Sequence, residues 1–448
     1  MGRRLIVFLL LCLILSGCAV NYYHQGRRFL RKKDYEKATE IFYQAVTRDP
    51  QKAENWRELG IAYYEKGEPD KALDALKQAN LIKPDQRINF YLGLIYDRRG
   101  KCDSSNCDTV VCDSAIEAYS RYLLIKSKTE GQKEMAKMVK ARLKILQDQR
   151  IKKWAQHQVA NEENLRAAEI PSNTVVVTYF DTSELDTSLA VLSKGLTEFL
   201  IKDLSKVKNL KVVERLKLQR LSEELEREKT PPVDKRTAPE LGLLLGAYHL
   251  VTGSMMDMGR KILKFVGAAV VTPTHELSSI AEKTGGIGEF LKLEKELVFG
   301  ILDAIGIMPT KMEKDEIRKI PTESFMAIFA YSRGLDYLDR EMYKDAEKQF
   351  RIALSEDPDF HDALIQYHEV KDFLEHQSSV EDLSSLEMVY KEIEEAEFTD
   401  PLEERLSQTN ENSDLIQPIS ADNPYTQPFI PCITQTGTVV IEGTLEKR

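Results

Sequence analysis

Residue types recur along this chain at a spacing of 34. Tyr22 corresponds to Trp56, Gly26 to Gly60, Phe29 to Tyr63, Ala38 to Ala72, Phe42 to Leu76, Ala45 to Ala79 and Pro50 to Pro84. A fixed period of this length marks a structural unit that cannot bury its own apolar face and stacks on a copy of itself. Each unit reads as a helix, a turn and a second helix. Gly26 and Gly60 fall where two helices approach too closely for a side chain, and Ala38 and Ala72 face the same gap. The aromatic positions fill the space between helices. The prolines stop the second helix and set the angle to the next unit.

A third unit begins with Leu92, Gly93 and Tyr96 and resumes at Ala115 and Tyr119, with an insertion over 101–113 between them. Arg333, Gly334, Tyr337, Ala346, Phe350, Ala353 and Pro358 fit the same template far downstream, followed by a capping helix from His361 to Glu375. One isolated unit must pack on another part of the chain or on a partner. The order of these residue types resembles the tetratricopeptide repeat. The resemblance implies a groove, lined by the first helix of each unit, that takes a peptide segment or a partner helix. Asn55, Arg57 and Glu58 on such a helix are candidate partner contacts.

The N-terminus reads as an address. Arg3 and Arg4 precede an apolar run from Leu5 to Leu15, shorter than the about 20 residues a spanning helix needs. It ends in Leu15-Ser16-Gly17-Cys18, which resembles the bacterial lipobox, so residues 1–17 are expected to be a signal peptide and Cys18 the lipidated first residue. Ala19 after the cysteine implies, by that resemblance, the outer membrane. Stable anchoring follows from several acyl chains, each buried CH₂ contributing about 0.8 kcal/mol. Cys102, Cys107, Cys112 and Cys432 remain, in a compartment where disulfides form. The Cys-Asp pairs of the insertion leave two readings open, a metal site and a disulfide-pinned loop. Their spacing is not that of zinc ligands, and the disulfide is the reading preferred, with Cys432 available for the odd thiol.

Residues 126–170 read as a polar helical cap and linker, ending before Pro171. From Asn173 strands and helices alternate. Strands are expected at Thr174–Phe180, Leu210–Val213, Tyr248–Ser254, Ile262–Thr272 and His275–Glu282, with helices at Ser188–Leu204 and Phe290–Ile305. This order, with Val212-Val213-Glu214-Arg215, Leu244-Leu245-Gly246-Ala247 and Leu250-Val251-Thr252-Gly253-Ser254, resembles the CsgG-like domain of curli-secretion lipoproteins. The resemblance covers about residues 172–308 and implies a small α/β sandwich that faces the periplasm and oligomerises. The connection Met255–Lys261 is too short for the family's membrane hairpin, so pore formation is not carried over. From Asp372 to Arg448 there are 17 acidic against 4 basic residues, and 377–448 reads as an acidic, largely disordered tail.

The expected organisation is therefore multi-domain, α and α/β. It comprises repeats over 18–125, a cap over 126–170, a CsgG-like domain over 171–310, and one repeat with its cap over 311–376. A net charge of −9 argues against a nucleic-acid binder working by phosphate neutralisation. No catalytic constellation, cofactor motif or metal-ligand set emerges. His275-Glu276 is followed by Ser279 where a zinc protease has its second histidine. His361, His368 and His376 form no ligand set and read as surface residues of the cap. Thr284-Gly-Gly-Ile-Gly288 precedes a helix and could cradle an anion, but a plain glycine-rich turn accounts for it. The expected function is a non-enzymatic, lipid-anchored scaffold that binds protein partners in assembly or maintenance of an envelope or surface structure. A curli-type secretion channel or accessory, and an activator of a periplasmic cell-wall synthase, are the alternatives.

Overall fold

Each helical unit closes on one glycine. The computed structural model describes residues 22–102, 108–227 and 238–398. Its first three units pair α1 (Tyr22–Arg31) with α2 (Tyr35–Arg48), α3 (Ala53–Glu65) with α4 (Pro69–Ile82), and α5 (Gln86–Gly100) with α6 (Thr109–Leu124). A Cβ on Gly26 would lie 2.6 Å from the Phe42 ring, and one on Gly60 would lie 2.6 Å from Leu76. In both units the large side chain follows sixteen residues after the glycine. At Gly93 the facing ring is Tyr119, twenty-six residues on. The extra ten residues are the insertion, pinched off by a Cys102–Cys112 disulfide with Cα atoms 5.5 Å apart. Cys107 and Cys432 lie outside the described residues, as does Cys18.

The other template residues sit around these contacts. Ala38, Phe42, Ala45, Ala72, Leu76 and Ala79 are buried, while Tyr22, Phe29, Trp56 and Tyr63 are half-buried between helices. Asp49 and Lys83, each before a proline, leave helical geometry (φ −136° and −156°), because a following proline ring disfavours the α region. Pro50 and Pro84 themselves are exposed.

The third unit hands over to α7 (Glu130–Ala160), whose far end reaches the α/β domain. There β1 (Thr174–Val177), β2 (Asp181–Glu184), β3 (Lys211–Val212), β4 (His249–Asp257), β5 (Ile262–Val271) and β6 (Leu277–Gly286) form one sheet of order β3-β1-β4-β5-β6, with β2 paired to β4. Strands β3, β1 and β4 run parallel, and β4, β5 and β6 are antiparallel. One face carries α8 (Leu192–Leu204) and α11 (Phe290–Ala304), packed on Val175, Val177, Val251 and Phe265. The other carries α9 (Arg215–Arg227) and α10 (Ala238–Leu245), with Trp154 and Val159 of α7 against the same cluster. Strand β2 was not expected from sequence. The Gly285–Gly286 stretch belongs to β6, and the Gly286 N–H donates to the Glu289 carboxylate rather than standing open to an anion.

The downstream unit, α13 (Phe325–Asp339) and α14 (Tyr343–Glu356), follows the short α12 (Lys311–Ile317). It repeats the template: a Cβ on Gly334 would lie 2.4 Å from Phe350. Ala346, Phe350 and Ala353 are buried, Tyr337 is half-buried, and Asp357 before the exposed Pro358 is extended. Its open face packs on the α/β domain, where α8 passes so close that a Cβ on Gly195 would meet the Ser332 hydroxyl. Asp339 fixes this junction, pairing with Arg215 at 2.5 Å and Lys194 at 2.7 Å.

The structure departs from expectation in three places here. The cap does not end at residue 376: α15 (His361–Glu381) continues past it, and α16 (Leu383–Phe398) follows. The segment 377–398, expected to be disordered tail, is helical because Val380, Leu386 and Tyr390 find a core to enter. His376, expected on the surface, is buried and hydrogen-bonds Glu134 of α7 at 2.7 Å.

Arg142 of α7 is fully buried. Its guanidinium makes two 2.8 Å hydrogen bonds to Asp97 of α5, and donates to the Val380 and Glu381 carbonyls at the end of α15. Arg142→Met strands a buried carboxylate and is expected to cost about 3–5 kcal/mol in urea unfolding, most of it recovered by the further change Asp97→Leu. Lys33, Gly67 and Glu341 share one turn position, seven residues after the template glycine, with φ of 57°, 85° and 58°. Only glycine adopts that conformation without strain, so Lys33→Gly is expected to raise stability by about 1 kcal/mol in the same assay.

Candidate partner-binding site

The first helices of the three N-terminal units present one continuous polar face, and its centre is Glu58. This α3 residue has no exposed surface, yet its carboxylate receives three guanidinium groups from three different units. Arg27 of α1 reaches it at 2.9 Å, Arg57 of α3 at 2.9 Å and Arg87 of α5 at 2.7 Å. Burial would raise the Glu58 carboxyl, but Arg87, Arg27 and Arg57 outweigh it and hold it at about 2. Further carboxylates join the cluster. Asp85 pairs with Arg57 at 2.6 Å. Tyr64 and Arg98 extend the face, with the Arg98 guanidinium 2.6 Å from the Tyr64 hydroxyl.

Helix α16 of the chain itself lies on this face. The Tyr390 ring stacks on Phe90 of α5 with centroids 3.7 Å apart, and meets Tyr91 edge-on at 5.8 Å. Glu387 accepts from Tyr64 and from Arg98, both at 2.9 Å. Lys391 pairs with Glu65 of α3 at 2.7 Å, and Glu394 pairs with Arg87. Burial pushes the Glu394 carboxyl up while Arg87 pulls it back. The arrangement is an amphipathic helix seated in a groove, reading out through positions one turn apart.

The sequence candidates fare differently from expectation. Asn55, Arg57 and Glu58 are not exposed contacts. Asn55 is buried and its amide donates to the Ala45 carbonyl, tying α3 to the preceding unit. Glu58 is buried under the arginines, and only 13% of the Arg57 side chain is exposed. They organise the face rather than offering it to solvent. Sequence reasoning missed Tyr64, Arg87, Arg98 and the whole of α16. The signal was present in Leu383, Leu386, Tyr390 and Ile393 at helical spacing, beside Glu387, Lys391 and Glu394, but the acidic composition masked it. Among the described residues no cluster of His, Cys, Asp or Glu could hold a metal ion, and no helix is long and apolar enough to cross a membrane.

Family models match two parts of the chain. Residues 29–91 match the tetratricopeptide repeat, and residues 156–289 match the curli production assembly/transport component CsgG. The fold thus defines a helical-repeat array joined to a mixed α/β domain. More specifically, the chain combines tetratricopeptide repeats with a CsgG-like domain. Among solved structures, a tetratricopeptide repeat protein from Parabacteroides merdae is similar over 78% of this chain and 97% of its own, at 13% identity and a TM-score of 0.22. No curated protein matches the chain significantly.

The Glu58 cluster carries a pH signature. A carboxyl held below its unfolded value stabilises the fold above about 4.5, and that stability drains as pH falls toward about 2. Glu58→Gln is expected to cost about 3–5 kcal/mol at neutral pH and to flatten this part of the acid dependence, read from urea midpoints across that window.

Proposed function

We propose that this chain is a non-enzymatic scaffold that binds protein partners through the face built on α1, α3 and α5 and through the CsgG-like domain. It serves assembly or maintenance of the cell envelope or a surface structure. Lipid on Cys18 tethers it to the outer membrane, facing the periplasm, and the CsgG-like domain provides for homo-oligomers. The observation that carries the reading is the groove already holding a helix by its side chains. That is what a helix-binding surface does, and the buried Glu58 with its arginines pre-organises it. The match of residues 156–289 to a curli assembly and transport component supports a second reading, an accessory to curli-type secretion.

Two measurements test the proposal. Cys18→Ser is expected to move the protein from the membrane to the soluble fraction of the envelope; a wild-type chain already soluble contradicts the tether. A photo-crosslinking residue at Arg98, on the groove, is expected to capture envelope proteins that the same residue at Lys77, on α4, does not. Identical capture at both positions, or none at Arg98, contradicts the groove.

A further inference from the structure

The contacts of α16 are those of an amphipathic helix seated in a groove, with one apolar edge in the core and a polar stripe on the repeats. Its polar contacts fall on Glu387, Lys391 and Glu394, which with Tyr390 make an i, i+3, i+4, i+7 stripe, while Leu383, Leu386, Val389 and Ile393 pack beside the Tyr390 stack. The preceding α15 is held differently. Ala363, Val370, Phe373 and Val380 are buried along it, Glu134 and Lys140 of α7 bind His376 and Glu369, and Arg142 grips its final carbonyls. One residue, Asp382, separates the two helices. Its carboxylate accepts from the Ser384 and Ser385 N–H groups, so α16 starts from its own cap rather than continuing α15. The groove groups that meet α16 are side chains, so a competing helix carrying the same groups at the same spacing can replace these pairs one for one.

Resting on the groove reading above, we infer that α16 is a built-in occupant, and that the external partner is an amphipathic acidic helix which binds by taking its place. The chemistry of α16 defines the class of partner: an aromatic residue to stack on Phe90, with carboxylates one turn to either side for Arg98 and Arg87. Arg87 and Arg98, which meet Glu394 and Glu387 of α16, favour an acidic helix over a basic one. A second copy of this chain is a poorer occupant, because its own α16 already fills an identical groove and exchange creates no contact that was not there before.

The test uses the full chain and a labelled synthetic peptide spanning Leu383–Phe398, followed by fluorescence anisotropy. Tyr390→Ala with Glu394→Gln loosens the internal helix and is expected to tighten peptide binding at least about tenfold over wild type, since apparent affinity scales with the open fraction. Adding Arg87→Glu is expected to abolish it. Equal affinity for both chains, or binding indifferent to Arg87→Glu, overturns the inference. Hydrogen exchange on the unaltered chain gives the same answer without relying on the variants. Excess peptide should strip protection from amides 386–394 and leave 363–380 protected, and unchanged protection in both overturns it. A concentration-dependent dimer that the peptide dissolves would reassign the site to a second copy and overturn the partner assigned here. If displacement fails while capture at Arg98 persists, the groove reading survives and only this inference falls.

Discussion

A single guanidinium closes this molecule. Arg142 lies midway along α7 with no exposed surface, and burying it carries a desolvation penalty that only full pairing offsets. Asp97 supplies the charge from the third repeat, and the last carbonyls of α15 take a remaining donor. A cation at the carbonyl end of a helix also meets the negative end of its dipole. The N-terminal array, the linking helix and the C-terminal helices thus share one ion. Because that ion sits where α15 stops, it also fixes where α16 begins.

The second junction follows the same logic with a different pair. Asp339 accepts both Arg215 and Lys194, and the close passage of Gly195 against Ser332 brings α8 onto the lone downstream repeat. A unit that would otherwise expose its apolar face instead extends the core of the sheet, so that β1, α8, α11, α13 and α14 bury side chains in one cluster. Both junctions place buried charge at helix crossings, where a partner's loss is costly and a unique geometry is enforced.

What was readable in the sequence was what repeats or alternates. The recurrence of template residues every 34 positions predicted the helical hairpins, and the structure adds that Gly26, Gly60 and Gly334 each face the large side chain sixteen positions on. Val175, Val176 and Val177 declared a buried strand. Strand β2 did not, since Asp181–Glu184 is polar and largely exposed and its pairing with β4 depends on a neighbour distant in sequence. Glu58 illustrates the limit at the site. Its place on a first helix was legible, but its burial arises from arginines in three successive units, and no local pattern encodes their convergence. Helix α16 was obscured by composition: five acidic residues among sixteen argue for a solvated tail until basic partners elsewhere are known.

The account turns on α16 lying against the repeats in the intact chain. Carbodiimide forms an amide only between a lysine and a carboxylate already in contact, so zero-length crosslinking followed by mass spectrometry reads this directly. The structure predicts a Lys391–Glu65 link, from a 2.7 Å pair, alongside the Lys140–Glu369 link between α7 and α15, from a 2.9 Å pair. A chain that yields the second link and never the first would contradict the account, because the groove would then stand open and the helix assigned to it would lie elsewhere.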